Sequence, residues 1–234
     1  VKQRLGAEEM ASSFSAAIIT EDCPSLAPFN PKRGGSKKST PISSDPAITS
    51  VLAANGLPIP SNDLAKESSY QSILEPFVRS AGDAFAGAFG EVKLFSERLG
   101  QQMRTDLYII SYRYGLVSEN ESVVPYESRL RTTRDYLELD KRSGFSARIL
   151  ERCQDYSHVL FFIPLSLGEY LASIGLLQEL SRHHTVILAS SIKLKELLPR
   201  DTNIVILPRK GLARIGKKNQ VELRKLLAIT APAS

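Results

Sequence analysis

The residues best suited to chemistry stand close together between Ser111 and Tyr126. Tyr112, Tyr114 and Tyr126 carry flat aromatic rings that can stack on a base, and Arg113 can stack or pair with a phosphate. Ser111 adds a hydroxyl group at the start of the stretch. These residue types predict a pocket for a nucleotide, a nucleoside or a base.

Other residues of the same stretch have different expected roles. Gly115 and Pro125 belong to the predicted ligand-binding set through the backbone: Gly115 predicts a conformation that other residues avoid, and Pro125 predicts a turn. Glu119 carries a carboxyl group that can act as an acid or a base. The candidate catalytic residues are Ser111, Arg113, Glu119 and Tyr126. A purely structural interpretation stays open, in which these side chains shape and cap a long turn.

The sequence before Ser111 predicts the elements that position it. Residues 107–110 are apolar and are typical of a strand. Upstream, Phe85, Phe89, Val92 and Leu99 recur at helical spacing, which predicts a helix with one apolar face. A strand that ends at Ser111 carries the polar side chains to the carboxyl edge of a sheet, where open α/β sheets bind ligands.

Further strands and helices alternate along the chain. Apolar runs at residues 14–20, 158–163, 185–189 and 203–207 predict strands. Helices are expected around residues 47–54, once or twice within 128–153, and at 167–177, 194–198 and 219–228. This alternation predicts an α/β fold with a mostly parallel sheet of about four or more strands and flanking helices.

Residues 21–69 depart from this pattern. They are rich in Pro, Ser, Gly and Asn, and their prolines forbid long helices and central strands. We therefore predict a long Pro/Ser-rich loop after the first strand. Within this loop, Lys37 and Lys38 follow a Gly-Gly-Ser sequence that can hold an anion. The chain 1–234 is predicted to be a single domain, with this loop as an insertion and 208–234 as a basic C-terminal segment.

Positive charge is concentrated near the C-terminus. Between residues 193 and 225 there are ten Lys or Arg and three acidic residues, a local charge of +7. The net charge is +5, so the remainder of the chain carries −2. Localised positive charge predicts a polyanionic partner such as nucleic acid, although a solvated basic surface has the same composition. The residues predicted to contact phosphates are Arg209, Lys210, Arg214, Lys217 and Lys218.

Residues 84–130 resemble the YaaA peroxide-stress family and its shorter relatives. The matching elements are Phe85-Ala-Gly87 at the opening of a helix, Ser111-Tyr-Arg-Tyr-Gly-Leu116 after a strand, and Pro125-Tyr126 further along. The first strand and the region of Cys23, with Ser36-Lys-Lys38 downstream, are similar to the family's first strand and following loop. The resemblance implies a YaaA-like α/β domain and an association with DNA binding, DNA protection under oxidative stress, or nucleic-acid modification.

Composition and spacing argue against several classes of protein. No apolar run approaches the roughly 18 residues that cross a bilayer, and no secretory signal is recognisable. Two cysteines, Cys23 and Cys153, are too few for a disulfide framework, so we expect a reducing, cytoplasmic compartment. His158, His183 and His184 fit no common metal spacing, so we expect neither a metal nor a cofactor.

Three functional interpretations follow from the sequence. The first is a nucleic-acid-binding protein whose basic C-terminal residues contact phosphates, with a salt-dependence slope of roughly −4 to −5. The second is an enzyme that acts on a nucleotide, nucleoside or base at the Ser111–Tyr126 edge, although no complete catalytic set indicates a named reaction. The third, suggested by Val at position 1, is a structural or interaction module of a longer chain with a partner domain.

Overall fold

The computed structural model of the chain describes residues 14–23, 41–127, 130–199, 202–209 and 214–227. The strands are β1 (Ser15–Glu21), β2 (Arg79–Ser80), β3 (Arg104–Ser111), β4 (Gly115–Ser118), β5 (Ser122–Val123), β6 (His158–Phe162), β7 (Thr185–Ser190) and β8 (Ile204–Pro208). The α-helices are α1 (Pro46–Ala54), α2 (Glu67–Ile73), α3 (Ala81–Ala84), α4 (Ala88–Gly100), α5 (Thr133–Ser143), α6 (Phe145–Cys153), α7 (Leu165–Ser173), α8 (Leu176–Ser181) and α9 (Lys217–Leu226). Short 3-10 helices span Ile42–Ser44, Leu64–Lys66, Glu75–Phe77 and Ile192–Leu197.

Six strands form one sheet in the order β4-β3-β1-β6-β7-β8. Every neighbouring pair in it is parallel except β3 and β4, which form an antiparallel hairpin. The short strands β2 and β5 pair separately. The prediction of an α/β fold with a mostly parallel sheet is therefore confirmed.

Alternate residues along each strand pack against opposite layers of helices. Ala16 and Ile18 of β1 join one apolar cluster, which includes side chains from α1, α4 and α9. Ala17 and Ile19 join a second cluster with side chains from α5, α6, α7 and α8. The sheet is covered on both faces, which explains why its central strands are apolar throughout. The order in which successive strands are added to the sheet reverses at β1, since β3 lies on one side of it and β6 on the other.

Local sequence signals set the ends of several helices. Asp45 accepts a hydrogen bond from the Ala47 amide and Pro46 occupies the first turn, so α1 begins at a capped position. Thr132 and Asp135 form a capping box at the start of α5. That helix ends at Gly144, whose φ of 63° lies in the left-handed region. These short-range signals account for elements that the sequence already indicated.

Several predicted boundaries differ from the structure. Helix α4 begins at Ala88 rather than near Phe85, because Gly87 has a φ of 68° that interrupts a helix. The helix expected at residues 167–177 is divided into α7 and α8 at Gly175. Strand β4 was not predicted. The described part of residues 21–69 contains helix α1, two 3-10 helices and the start of α2, while residues 24–40 lie outside the described part of the chain.

Gly115 begins β4 directly after the turn that follows β3. Its φ is 76°, so the expectation of an unusual backbone conformation is confirmed. A Cβ atom at this position would stand 2.5 Å from the Cβ of Ser143 in α5. Both the turn and the close approach of α5 therefore require glycine.

Candidate functional site

The carboxyl ends of the parallel strands gather the polar residues of interest at one edge of the sheet. Asp22 follows β1, Ser111 ends β3, Ser190 ends β7 and Arg209 follows β8. In a sheet of this type, ligands bind outside the carboxyl ends of the strands, where the strand order reverses. The edge next to β1 is thus the expected place for a site.

Ser111 and Tyr126 do meet there, but inside the protein. The Tyr126 hydroxyl donates to Asp22 Oδ2 at 2.8 Å and lies 2.7 Å from Ser111 Oγ. Because its single hydrogen goes to Asp22, the Ser111 hydroxyl donates to Tyr126. Ser111 Oγ also accepts hydrogen bonds from the amides of Arg113 and Tyr114. Both side chains are buried, and burial raises the pKa of Tyr126 well above its ordinary value. This network fixes the turn after β3.

Arg113 is completely buried and bound by carboxylates of the chain itself. Its Nη1 donates to Asp63 Oδ1 at 2.7 Å and to the Ser61 carbonyl, while Nη2 and Nε donate to Glu67 Oε2. The guanidinium also lies over the rings of Tyr70 and Tyr114. A phosphate would have to displace both carboxylates. The structure therefore corrects the expected role of Arg113, which anchors the segment before α2 to the β3–β4 turn.

The remaining residues of the predicted pocket are dispersed. Glu119 lies past the far end of the hairpin, where its amide donates to the Leu107 carbonyl, so the structure does not bring it near Ser111. Burial raises the pKa of Glu119. Tyr112 is half-buried, with the Arg142 guanidinium 5.4 Å from its ring centre. Gly115 is buried at the start of β4, Pro125 is buried in the segment after β5, and Lys37 and Lys38 lie outside the described residues.

Among the residues predicted to contact phosphates, Arg214 has its side chain directed into the protein. Its Nη1 donates to Thr20 Oγ1 and the Glu21 carbonyl, and its Nη2 donates to the Asp22 carbonyl at 2.7 Å. Thr20 Oγ1 in turn donates to the Phe162 carbonyl of β6. Arg214 is thus buried at the reversal of strand order and caps the end of β1. This contact pattern corrects its predicted role as a surface phosphate ligand.

Glu91 is a residue near this edge whose role the sequence did not indicate. Its carboxylate accepts hydrogen bonds from the amides of Arg214 at 2.9 Å and Gly216 at 2.6 Å, with the Ile215 amide at 3.4 Å. Successive backbone amides of this kind form a concave anion-binding site. The half-buried Glu91 of α4 fills that concavity and so fixes the segment that leads into α9.

The other basic residues surround a cavity at the carboxyl end of β8. The cavity has a volume of about 340 Å³ and is lined by Pro208, Arg209, Ile215, Gly216, Lys217, Lys218 and Asn219. Lys217 and Lys218 are exposed, while Arg209 is half-buried. Burial, together with the charge of Arg214, lowers the pKa of Arg209, so its cation is incompletely compensated. Lys210 lies outside the described residues.

Helix α9 begins at this cavity. Within the described residues, no side chain caps its first turn, which follows Gly216. Exposed amides and the helix dipole favour an anion at such a position. Three cationic residues and the N-terminus of α9 therefore line the same cavity, which is of the size that binds small ligands. Its chemistry suits a phosphate group.

Glu21 is a second unpredicted residue at this edge. Its Oε2 accepts a hydrogen bond from the Tyr136 hydroxyl at 2.6 Å, and Arg214 Nη2 lies 3.6 Å from Oε1. Burial raises the pKa of Glu21, and the attraction of Arg214 offsets this only in part. The carboxyl group therefore holds its proton more tightly in the folded protein than in the unfolded chain.

This shift predicts a pH-dependent stability. Since the folded protein binds more protons, the free energy of unfolding should fall as the pH rises from about 4.5 through the raised pKa of Glu21. A Glu21→Gln variant keeps an acceptor for Tyr136 but cannot ionise. Urea denaturation across the acid range should give a wild-type minus variant difference that declines over that window. A difference independent of pH would contradict the assigned shift.

Metal, thiol and membrane features were also compared among the described residues. They contain no group of three or more His, Cys, Asp or Glu arranged to hold a metal ion. Cys23 is half-buried and Cys153 buried, both with free thiols, and burial raises the pKa of Cys153 to about 12. No helix in the described ranges has the length and apolar character of a membrane span.

Fold and site together define an α/β protein with a mostly parallel sheet and a cationic cavity at its carboxyl edge. Comparison with known proteins adds no relative to this description: no family model, curated protein or solved structure matches the chain. The resemblance of residues 84–130 to the YaaA family therefore stays a prediction.

Proposed function

We propose that this chain binds nucleic acid and that the cavity at the start of α9 holds a phosphate of the bound strand. The observation that carries the proposal is the convergence of Arg209, Lys217 and Lys218 on this one cavity. Phosphate contacts of this kind supply most of the sequence-independent affinity of proteins for nucleic acids. The cavity belongs to the carboxyl edge of the sheet, where α/β proteins bind ligands.

The number of cations in the cavity sets the expected salt dependence. Arg214 is buried against the end of β1 and does not contribute. Among the described residues, Arg209, Lys217 and Lys218 remain, and three phosphate contacts give a slope of about −2 to −3 in a plot of log K against log salt concentration. This is shallower than the slope predicted from five surface cations.

We expect Lys217→Glu/Lys218→Glu to flatten this slope by about 2 and to weaken binding at low salt. The measurement is fluorescence anisotropy of labelled single-stranded DNA, duplex DNA and RNA across a salt series. The control is Arg224→Glu/Lys225→Glu, which makes the same charge change at the other end of α9. An unchanged slope, or an equal loss in the control, would remove the cavity from the contact surface.

An enzyme with its pocket at the Ser111–Tyr126 edge is less well supported. Ser111, Arg113 and Tyr126 are buried and hydrogen-bonded to one another or to Asp22, Asp63 and Glu67. A role in DNA protection or nucleic-acid modification rests on the resemblance alone. This part of the proposal requires that DNA binding be demonstrated first.

A further inference from the structure

Strand β8 is an open edge of the sheet. It pairs with β7 on one side, and no described segment pairs with its other side. The Asn203 carbonyl accepts from the Val186 amide and the Arg209 amide donates to the Ser190 carbonyl, so these odd-numbered positions face β7. In a parallel ladder, alternate residues bond to the same neighbour. The amides and carbonyls of Ile204 and Ile206 consequently point outward.

This edge has few of the features that prevent strand pairing. Natural edge strands are protected by charged residues, by proline or by covering segments. β8 has the sequence Ile-Val-Ile-Leu-Pro, with no charge and with proline only at its last position. An unprotected apolar edge of this kind favours pairing with another strand.

An apolar surface accompanies the open edge. A cavity of about 410 Å³ is lined by Ile192, Lys195, Leu198, Pro199, Thr202, Ile204, Val205 and Ile206. Ile192 of this lining is 53% exposed, and Leu197 of the same 3-10 helix is 52% exposed. Side chains this large are seldom exposed together beside an open strand unless a partner covers them.

We propose that this surface binds a second copy of the chain, with the two β8 strands paired antiparallel about a two-fold axis. If the axis passes at Val205, Ile204 of each copy lies opposite Ile206 of the other. The outward amides and carbonyls of both residues are then satisfied in both copies. A two-fold interface requires a self-complementary surface, and the pairing meets that requirement with backbone groups alone.

The charges beside the edge also favour a second copy over an unrelated strand. Lys195 and Glu196 are adjacent and both exposed on the 3-10 helix that packs against β8. A two-fold axis brings such a pair against its own inverted copy, so opposite charges can face each other. Antiparallel pairing also directs the carboxyl edges of the two sheets in opposite directions, which leaves both basic cavities open.

The test is the mass of the full chain in solution by light scattering over a range of concentrations. We expect twice the 25.8 kDa of one chain. Ile192→Lys/Leu197→Lys should give monomers with an unchanged circular dichroism spectrum, because both side chains are exposed in the single chain. Leu94→Lys changes an equally exposed leucine on α4 and should leave the dimer intact. A monomeric wild type, or a dimer that survives the double substitution, overturns the proposal.

The register has a separate test. At the axis, the two Val205 residues form a non-hydrogen-bonded antiparallel pair with Cα atoms about 4.5 Å apart. This separation lies within the range that a disulfide spans. A Val205→Cys variant should therefore form an intermolecular 205–205 disulfide under mild oxidation, detected by peptide mapping. A dimer that does not crosslink there would exclude this register.

Discussion

Replacing Arg113 with alanine is expected to lower the free energy of unfolding by about 3–5 kcal/mol, because breaking a buried ion pair leaves uncompensated charge behind. The guanidinium is fully buried and contacts Asp63 and Glu67 at 2.7 and 2.5 Å. Without it, two carboxylates and the Ser61 carbonyl lose their donor. Urea denaturation followed by circular dichroism measures the loss. Arg113→Lys should recover only part of it, since an ammonium cannot bond both acids in the same plane.

The dependence of stability on pH in the acid range gives an independent test of the contacts that Arg113 makes. Burial acts to raise the pKa of Asp63, but hydrogen bonds from Tyr70, Ser61 and Arg113 outweigh it and lower that pKa to about 2. The stabilisation from this carboxylate is present above pH 3.8 and is lost as the pH falls toward 2. The Arg113→Ala variant should lose part of this dependence.

The control for Arg113 is Arg182→Ala. Arg182 is 68% exposed, and among the described residues it pairs with Glu179 on the surface. Exposed pairs of this kind contribute about 0–1 kcal/mol. If both variants had the same small effect, Arg113 would not be the anchor of the β3–β4 turn.

Replacing Glu91 with alanine is expected to destabilise the protein by about 3 kcal/mol, since each hydrogen bond to a charged group contributes about 1.5–3 kcal/mol. The bonds lost are those from the Arg214 and Gly216 amides. Without them, the segment that leads into α9 loses its attachment to α4. Hydrogen exchange at residues 214–216 should become faster, while exchange in β1 and β6 changes less.

The same substitution is expected to weaken nucleic-acid binding, because Glu91 positions the wall of the proposed phosphate cavity. Removal of a negative charge would by itself strengthen anion binding. The direction of the change in affinity therefore distinguishes a Glu91 that positions the cavity wall from a Glu91 that competes with phosphate. Tighter binding would mean that Glu91 competes with phosphate for the backbone amides. Glu97→Ala on the exposed face of α4 is the matched control, with little effect expected on stability.

The apolar character of the strands was sufficient to predict most of the sheet. Continuous apolar runs identified β1, β3, β6, β7 and β8, since a strand covered on both faces has no polar side. Strand β4 escaped prediction because it has only four residues and directly follows a turn. The positive φ of Gly115 was predictable from the sequence, because a glycine in a tight turn after a strand is typical of a conformation that other residues avoid.

For the candidate site, the sequence predicted which residue types are present but not which of them face a ligand. The sequence by itself placed Ser111, Arg113 and Tyr126 after a strand and gathered basic residues near the C-terminus. Which of these face a ligand depends on partners far along the chain. Glu67 lies 46 residues from Arg113, Glu91 lies 123 from Arg214, and Thr20 lies 194 from Arg214.

The tertiary structure decided the roles of the two arginines for one physical reason. A buried guanidinium needs carboxylates or carbonyls around it, and these come from whichever segments the fold brings near. Arg113 and Arg214 find such partners and become internal anchors, whereas Arg209, Lys217 and Lys218 keep their charges at the cavity. Local sequence determined the strands, the helices and the positions of the charged residues along the chain. Packing between distant segments determined which of these charges stay available to a ligand.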